Sequence, residues 1–173
     1  EAEEATKSFL DAEKTSLALA KKKFKVEPEY IAALLYLETR HGKMRGKFHV
    51  PSIFASLIAI RNRSVQANLM VEEKKRMSAG SPPLKDVMKR IREKAKTKSK
   101  WAVDELRVVQ KIYQRDPVYA REWLGSFAGA FGIPQFLPSS FSKWAYTDRK
   151  EKGKMALPDL TDPHDAILSV GNY

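Results

Sequence analysis

Apolar positions in this chain recur at helical spacing far more often than they alternate. Phe9, Leu10, Leu17 and Ala20 return near a 3.6-residue period, which predicts one helix over 2–24. Lysines at 21–25 place cations where they oppose the negative pole of that helix. Glu27-Pro28-Glu29 reads as the start of a second helix, because proline and acidic residues both suit a first turn. It runs through 30–40 and should stop at Gly42. A basic loop follows from Gly42 to Pro51, and Ser52 reads as the cap of a third helix through Ile53, Leu57 and Ile60. Ser-Ala-Gly-Ser-Pro-Pro at 78–83 predicts a turn. Beyond it the pattern predicts a strongly basic helix over 84–94, another over 101–113 and a short piece over 118–124. No period-two alternation lasts long enough for a large sheet, and no internal repeat is visible. The expected fold class is all-α.

One carboxylate falls on an apolar helix face. With Ile31 at zero and about 100° per residue, Leu34 lies at roughly −60°, Leu35 at roughly +40° and Glu38 at roughly −20°. Glu38 is therefore expected in the middle of the stripe that faces the core. Burying an unpaired carboxylate is costly, and desolvation makes it a proton donor nearer neutral pH. Gly42, one turn on, would leave room for a ligand over it. The stripe alone is also met by a helix-end glutamate paired to Arg40, Lys43 or Arg45, since structural ion pairs perturb carboxylates too.

A second segment stands out at 125–141, with three of the chain's eight glycines, four phenylalanines and two prolines. Ser126, Gln135, Ser139 and Ser140 supply neutral hydrogen-bonding groups there. Glycine permits close backbone approach. A rigid wall of neutral polar and aromatic groups suits a sugar; a tightly packed turn between helices fits the pattern as well. No GxGxxG and no Gly-Lys-Ser/Thr is present, so it is not a phosphate loop.

Composition narrows the picture. The chain has 173 residues, 43% of them apolar, enough for one globular domain with a real core. Without cysteine there is no disulfide and no cysteine-based metal site. The richest apolar run, 53–60, is far too short to span a membrane. The chain opens on an acidic, helix-prone segment, so any signal peptide is expected to have been removed or never to have existed. Net charge is +11, and residues 71–100 hold 11 Lys/Arg against 4 Asp/Glu. That excess favours a polyanionic partner.

Three motifs then resemble a known family. Glu38-Thr-Arg-His-Gly42 with Gly46-Lys47 is similar to the Glu-Thr-Arg-aromatic-Gly signature of the membrane-bound lytic transglycosylase B family, glycoside hydrolase family 103. Gly125-Ser-Phe-Ala-Gly-Ala with Gly132-Ile-Pro-Gln-Phe-Leu-Pro-Ser-Ser140 looks like its second motif. The run from Asp162-Pro-His-Asp165 to Asn172-Tyr173 looks like its third. The motifs occur in family order and, with 26–60, cover about half the chain.

The resemblance implies a goose-lysozyme-like helical domain with a cleft, over 1–173, carrying a basic insertion at about 71–100. It implies cleavage of the β-1,4 bond between N-acetylmuramic acid and N-acetylglucosamine, with closure of a 1,6-anhydro ring. Glu38 takes the catalytic role, acid then base. Ser126, Gln135, Phe136, Asn172 and Tyr173 take substrate-binding positions. No second acidic residue in the motifs is expected to face Glu38, with Asp162 and Asp165 reading as a capping pair. The resemblance further implies a monomer, exported to the periplasm or envelope of a Gram-negative bacterium, acting on peptidoglycan strands.

Some features depart from the family pattern. His41 replaces the usual aromatic, as a pH-sensitive cleft group or a solvent-side histidine. The stretch at 147–160 is lysine-rich, with Asp148, Glu151 and Asp159 poorly spaced, so no calcium, metal or other cofactor is expected. The basic insertion would grip carboxylates of the muramyl groups and peptide stems, or be a solvated helix face. Three rival functions stay open: a hydrolytic muramidase, a non-catalytic cationic wall-binding module, and nucleic-acid binding through 71–100. The last lacks a recognised motif, so no specific nucleic acid is expected.

Overall fold

Helical spacing in the sequence becomes helices in space, and the strands are only two residues long. The computed structural model describes residues 1–78 and 80–173. Ala79, within the predicted turn 78–83, lies outside the described residues.

The helix expected over 2–24 is two. α1 (Ala2–Ala12) and α2 (Lys14–Phe24) meet at Glu13, whose φ of −104° and ψ of 19° interrupt the α geometry. The break lets α1 pack on α3 (Pro28–Thr39) while α2 packs on α9 (Pro163–Asn172). Phe9, Leu17, Ile31, Leu35, Ile167 and Leu168 form the resulting core, joined by Ile133 from far along the chain. Each fully buried aliphatic side chain contributes about 1.5–3 kcal/mol.

Asp162 caps α9 as expected, its carboxylate accepting from the His164 N–H at 2.8 Å. Asp165 is no cap. It is buried, accepts from Thr147 Oγ1 and from the Asp159 N–H, each at 2.8 Å, and so closes the preceding loop onto the helix.

A second core gathers α4 (Val50–Ala59), α6 (Leu84–Arg115), α7 (Pro117–Arg121) and α8 (Pro138–Trp144) around Phe54, Trp123, Phe131, Phe136 and Phe141. Ser52 does not cap α4. His49 holds that position, and Ser52 Oγ instead meets His49 Nδ1 at 2.6 Å inside the first turn. α7 starts one residue earlier than the short helix expected, where Asp116 accepts from the N–H groups of Val118 and Tyr119.

The helices expected over 84–94 and 101–113 are one, the 32-residue α6. Its middle is bound by small residues, Ala95, Ser99 and Ala102, which face the protein at helical spacing. α5 (Arg63–Arg76) precedes it, started by Asn62, whose side chain accepts from the Ser64 N–H.

Two antiparallel ribbons complete the chain. β1 (Phe48–His49) pairs with β2 (Leu124–Gly125) in register Phe48↔Gly125 and His49↔Leu124, and β3 (Lys150–Glu151) pairs with β4 (Lys154–Met155). Among the described residues no helix is long and apolar enough to cross a membrane.

Candidate active site

The first and second motifs are interlocked at the seam between the two cores. Ile133 belongs to the first core, whereas Phe131 and Phe136 belong to the second. Thr39, the last residue of α3, is buried at this seam. Its hydroxyl donates to the Ile133 carbonyl at 2.8 Å and accepts from the Gly42 N–H at 2.9 Å. Gln135 answers from the other side, its Nε2 donating to the carbonyls of Arg45 at 3.1 Å and Gly132 at 2.9 Å. The backbone after α3 turns through three successive positive-φ residues, Arg40, His41 and Gly42.

At Gly46 the two motifs touch backbone to backbone. A Cβ there would lie 2.2 Å from the Gly125 carbonyl oxygen, so glycine is required for the approach. Gly42 has a different role from the one expected. The space beside it is filled by the Ile133 side chain, and its φ of 91° serves the turn rather than a ligand.

Glu38 corrects the sequence reading most sharply. It is exposed, not buried. The stripe that α3 buries is Ile31, Ala32, Leu35 and Thr39, centred to one side of Glu38. Leu34, counted towards the core, is 37% exposed, and Tyr30 and Leu37 are more open still. Glu38 therefore stands on the edge between the core and an exposed apolar flank.

The ion pairs weighed for it are not made: Arg40 lies 3.8 Å from Glu1, and Arg45 reaches the Thr161 carbonyl. Among the described residues no side-chain hydrogen bond or ion pair engages the Glu38 carboxylate. By contrast, the buried carboxylates are occupied, Asp165 as above and Glu105 by the N–H and hydroxyl of Ser139 at 2.8 and 2.7 Å.

His41 is neither a cleft group nor a solvent-side histidine. Its ring stacks on Phe9 at 4.0 Å, and Nε2 bonds the Ala32 carbonyl at 2.9 Å. Burial, reinforced by the Lys43 charge and only partly opposed by that hydrogen bond, holds its pKa below the usual histidine value.

The remaining sequence-predicted residues surround the seam. Ser126 Oγ accepts from the N–H groups of Ala128 and Ala130, each at 3.3 Å, which leaves its own proton to donate. The Oε1 of Gln135 remains an acceptor, since both of its bonds use Nε2. Phe136 is buried and its ring lies 5.6 Å from that of Tyr173, so the second and third motifs meet. Tyr173 is exposed and also lies edge-on to Trp144. Asn172 donates to the Trp144 carbonyl at 2.9 Å.

Phe127 is a residue the sequence reading missed. At 79% exposed beside Ser126, it offers an open aromatic face, and the signal was an apolar residue at a loop tip between glycines. An apolar cavity of about 440 Å³ between α4, α6 and α7, lined among others by Ile58, Leu106, Val109 and Tyr113, contains none of these groups. Among the described residues no cluster of three His, Asp or Glu side chains could hold a metal ion.

Comparison with known proteins gives a consistent result. The family described as transglycosylase SLT domain matches residues 1–173. Membrane-bound lytic murein transglycosylase B of Escherichia coli (strain K12) is 29% identical over 148 residues, 86% of this chain and 30% of the relative. The solved E. coli lytic transglycosylase Slt35 in complex with bulgecin A superposes with a TM-score of 0.68 at 25% identity, covering 98% of this chain and 42% of the other. Soluble lytic transglycosylase SltB1 from Pseudomonas aeruginosa gives 0.68 and 25%, covering 98% and 45%. The chain thus spans less than half the length of the relatives it matches. Its all-α fold is that of the lysozyme-like lytic transglycosylases.

Proposed function

Because the chain belongs to the transglycosylase SLT domain family, we propose that it is a peptidoglycan lytic transglycosylase with Glu38 as its single acid and base. The observation that carries this reading is the Glu38 carboxylate itself. It is open to a ligand, free of hydrogen bonds and ion pairs among the described residues, and fixed at the end of α3 by its buried neighbour Thr39.

In the proposed reaction Glu38 protonates the glycosidic oxygen between N-acetylmuramic acid and N-acetylglucosamine as the C1–O bond breaks. The muramyl N-acetyl group helps stabilise the cation at C1. Ionised Glu38 then takes the proton of the muramyl 6-hydroxyl as O6 bonds to C1, which closes the anhydro ring and restores the acid. Two-carboxylate glycosidases need a second acid near the scissile bond. Asp165 and Glu105 are held in structural hydrogen bonds, which supports a one-carboxylate scheme.

Taking a carboxylate out of water favours its protonated, acid form. In this reading the bound sugar does so, lying over the apolar flank of Tyr30, Leu34 and Leu37. Ser126 donates to the substrate, Gln135 accepts from it, and Phe127 and Tyr173 offer ring faces, with Phe136 buried behind Tyr173 and Asn172 at the far edge. No cofactor takes part. We further take 1–173 as one catalytic unit with its basic insertion at 71–100, working as a monomer in the periplasm or envelope.

The solvent access of Glu38 favours one rival, a hydrolytic muramidase in which water captures the cation. Mass spectrometry of purified peptidoglycan digested by the protein separates the two. Anhydro-muropeptides are expected; muropeptides with reducing ends alone would establish the rival.

A further inference from the structure

Residues 61–100 hold 13 Lys/Arg against 4 Asp/Glu, or +9 of the chain's +11. They make up α5, the connection after it and the first half of α6. No residue of α5 is buried, and the first buried residue of α6 is Ala95. The pair therefore stands off both cores. α5 touches α6, and Met70 of the former and Arg92 of the latter help line one shallow cavity of about 460 Å³ between them.

On α6 the cations are ordered. Lys85, Lys89, Arg92, Lys96 and Lys100 follow i, i+4, i+7, i+11, i+15, which at about 100° per residue confines them to a sector of roughly 80°. They form a line about 22 Å long at the helical rise of 1.5 Å. All five are exposed. Among the described residues none lies within 4.0 Å of a carboxylate oxygen. Three of them share a groove of about 670 Å³ with Met88 and with Asp86 and Glu93, which edge the line. Like charges four apart on a helix repel, so the row carries a cost that an anionic partner would relieve.

We infer that this row is a binding surface for the peptide-stem carboxylates of peptidoglycan, holding the polymer away from the catalytic residue. The inference rests on the reading of the chain as a peptidoglycan enzyme. A row of cations along one face of a helix suits a polymer with repeated charges. Four of its five cations are lysines, compact point charges on flexible stems that can reach scattered single carboxylates. Residues 61–100 contain no aromatic residue, and so no ring to stack on bases.

The test compares Glu38→Gln protein, which binds without cutting, with the same protein also carrying Lys85→Gln, Lys89→Gln, Arg92→Gln, Lys96→Gln and Lys100→Gln. Both are co-sedimented with purified peptidoglycan at low salt, and with peptidoglycan whose carboxyls have been amidated. The five-fold variant is expected to bind native wall about tenfold or more weakly, with the difference shrinking as salt rises above ~0.1 M. Amidated wall should weaken the parent by a similar factor. In a Glu38 background, the five substitutions should leave cleavage of a stem-free glycan fragment unchanged.

Equal binding of native wall by both proteins would overturn the inference. So would parent binding that is indifferent to amidation, an arm that needs no variant to fold. Duplex DNA and anionic vesicles are titrated in parallel, and a loss on substitution confined to either of them would also overturn the inference and name the other partner. Stripe-dependent wall binding by a protein that cuts no wall would leave this inference standing and remove the proposed function; cleavage without such binding would do the reverse.

Discussion

Glu38 and Thr39 are neighbours with opposite fates. A helical wheel built on apolar residues puts Glu38 inward because it counts Leu34 towards the core, yet Leu34 stays on the open flank. The residue that goes in is polar Thr39, because its hydroxyl finds the Ile133 carbonyl 94 positions away. No local pattern reveals such a partner, and the stripe by itself places Glu38 and Leu34 on the wrong side of the surface. Thr39→Val keeps the shape and removes the hydroxyl, leaving the Ile133 carbonyl and the Gly42 N–H without that partner. A loss of about 1–3 kcal/mol in denaturant unfolding is expected, with reduced cleavage; unchanged values on both counts would mean the seam is not held there. His41 gives a pH signature. Its folded pKa lies below 6.5, so the unfolded chain takes up a proton first, and stability falls as pH drops through about 6.5. His41→Phe retains the stack on Phe9 without the titrating group. Its melting temperature should fall less than that of the parent between about pH 7 and pH 5; parallel curves would remove His41 from the acid response.

At the scale of elements, the starts of α3 and α9 were legible and interruptions were not. Asp162 announced α9, and Glu27-Pro28 announced α3. The break at Glu13 follows from the need of α1 and α2 to meet different partners, which only the assembled bundle imposes. α5 buries nothing and so has no stripe to read. α6 reads as two helices because its middle, 94–100, lacks large apolar residues; Ala95 and Ser99 let the backbone approach its neighbours instead. Amide hydrogen exchange should therefore show protection running unbroken from about residue 95 into the C-terminal half of α6, with faster exchange in the exposed turns before it. A window of rapid exchange at 96–100 flanked by slow segments would mean two helices after all.

In the whole molecule two helical cores share one short segment, with Ile133 in the first and Phe131 and Phe136 in the second. The all-α class was legible from periodicity, whereas this division was not, since it depends on contacts between residues far apart in sequence. Ile133 also fills the space beside Gly42, so the seam supports the turn that follows Glu38. Ile133→Ala should cost about 2–5 kcal/mol and lower turnover even well below its melting temperature; full turnover there would separate the seam from the chemistry. The role of Glu38 is most directly examined by comparing wild-type and Glu38→Gln protein on purified peptidoglycan, with circular dichroism and thermal unfolding measured alongside. Because the carboxylate is exposed and holds no structural bond among the described residues, the variant should keep its melting temperature and release no anhydro-muropeptides. A folded Glu38→Gln protein that releases them at the wild-type rate would contradict the assignment of Glu38 as acid and base.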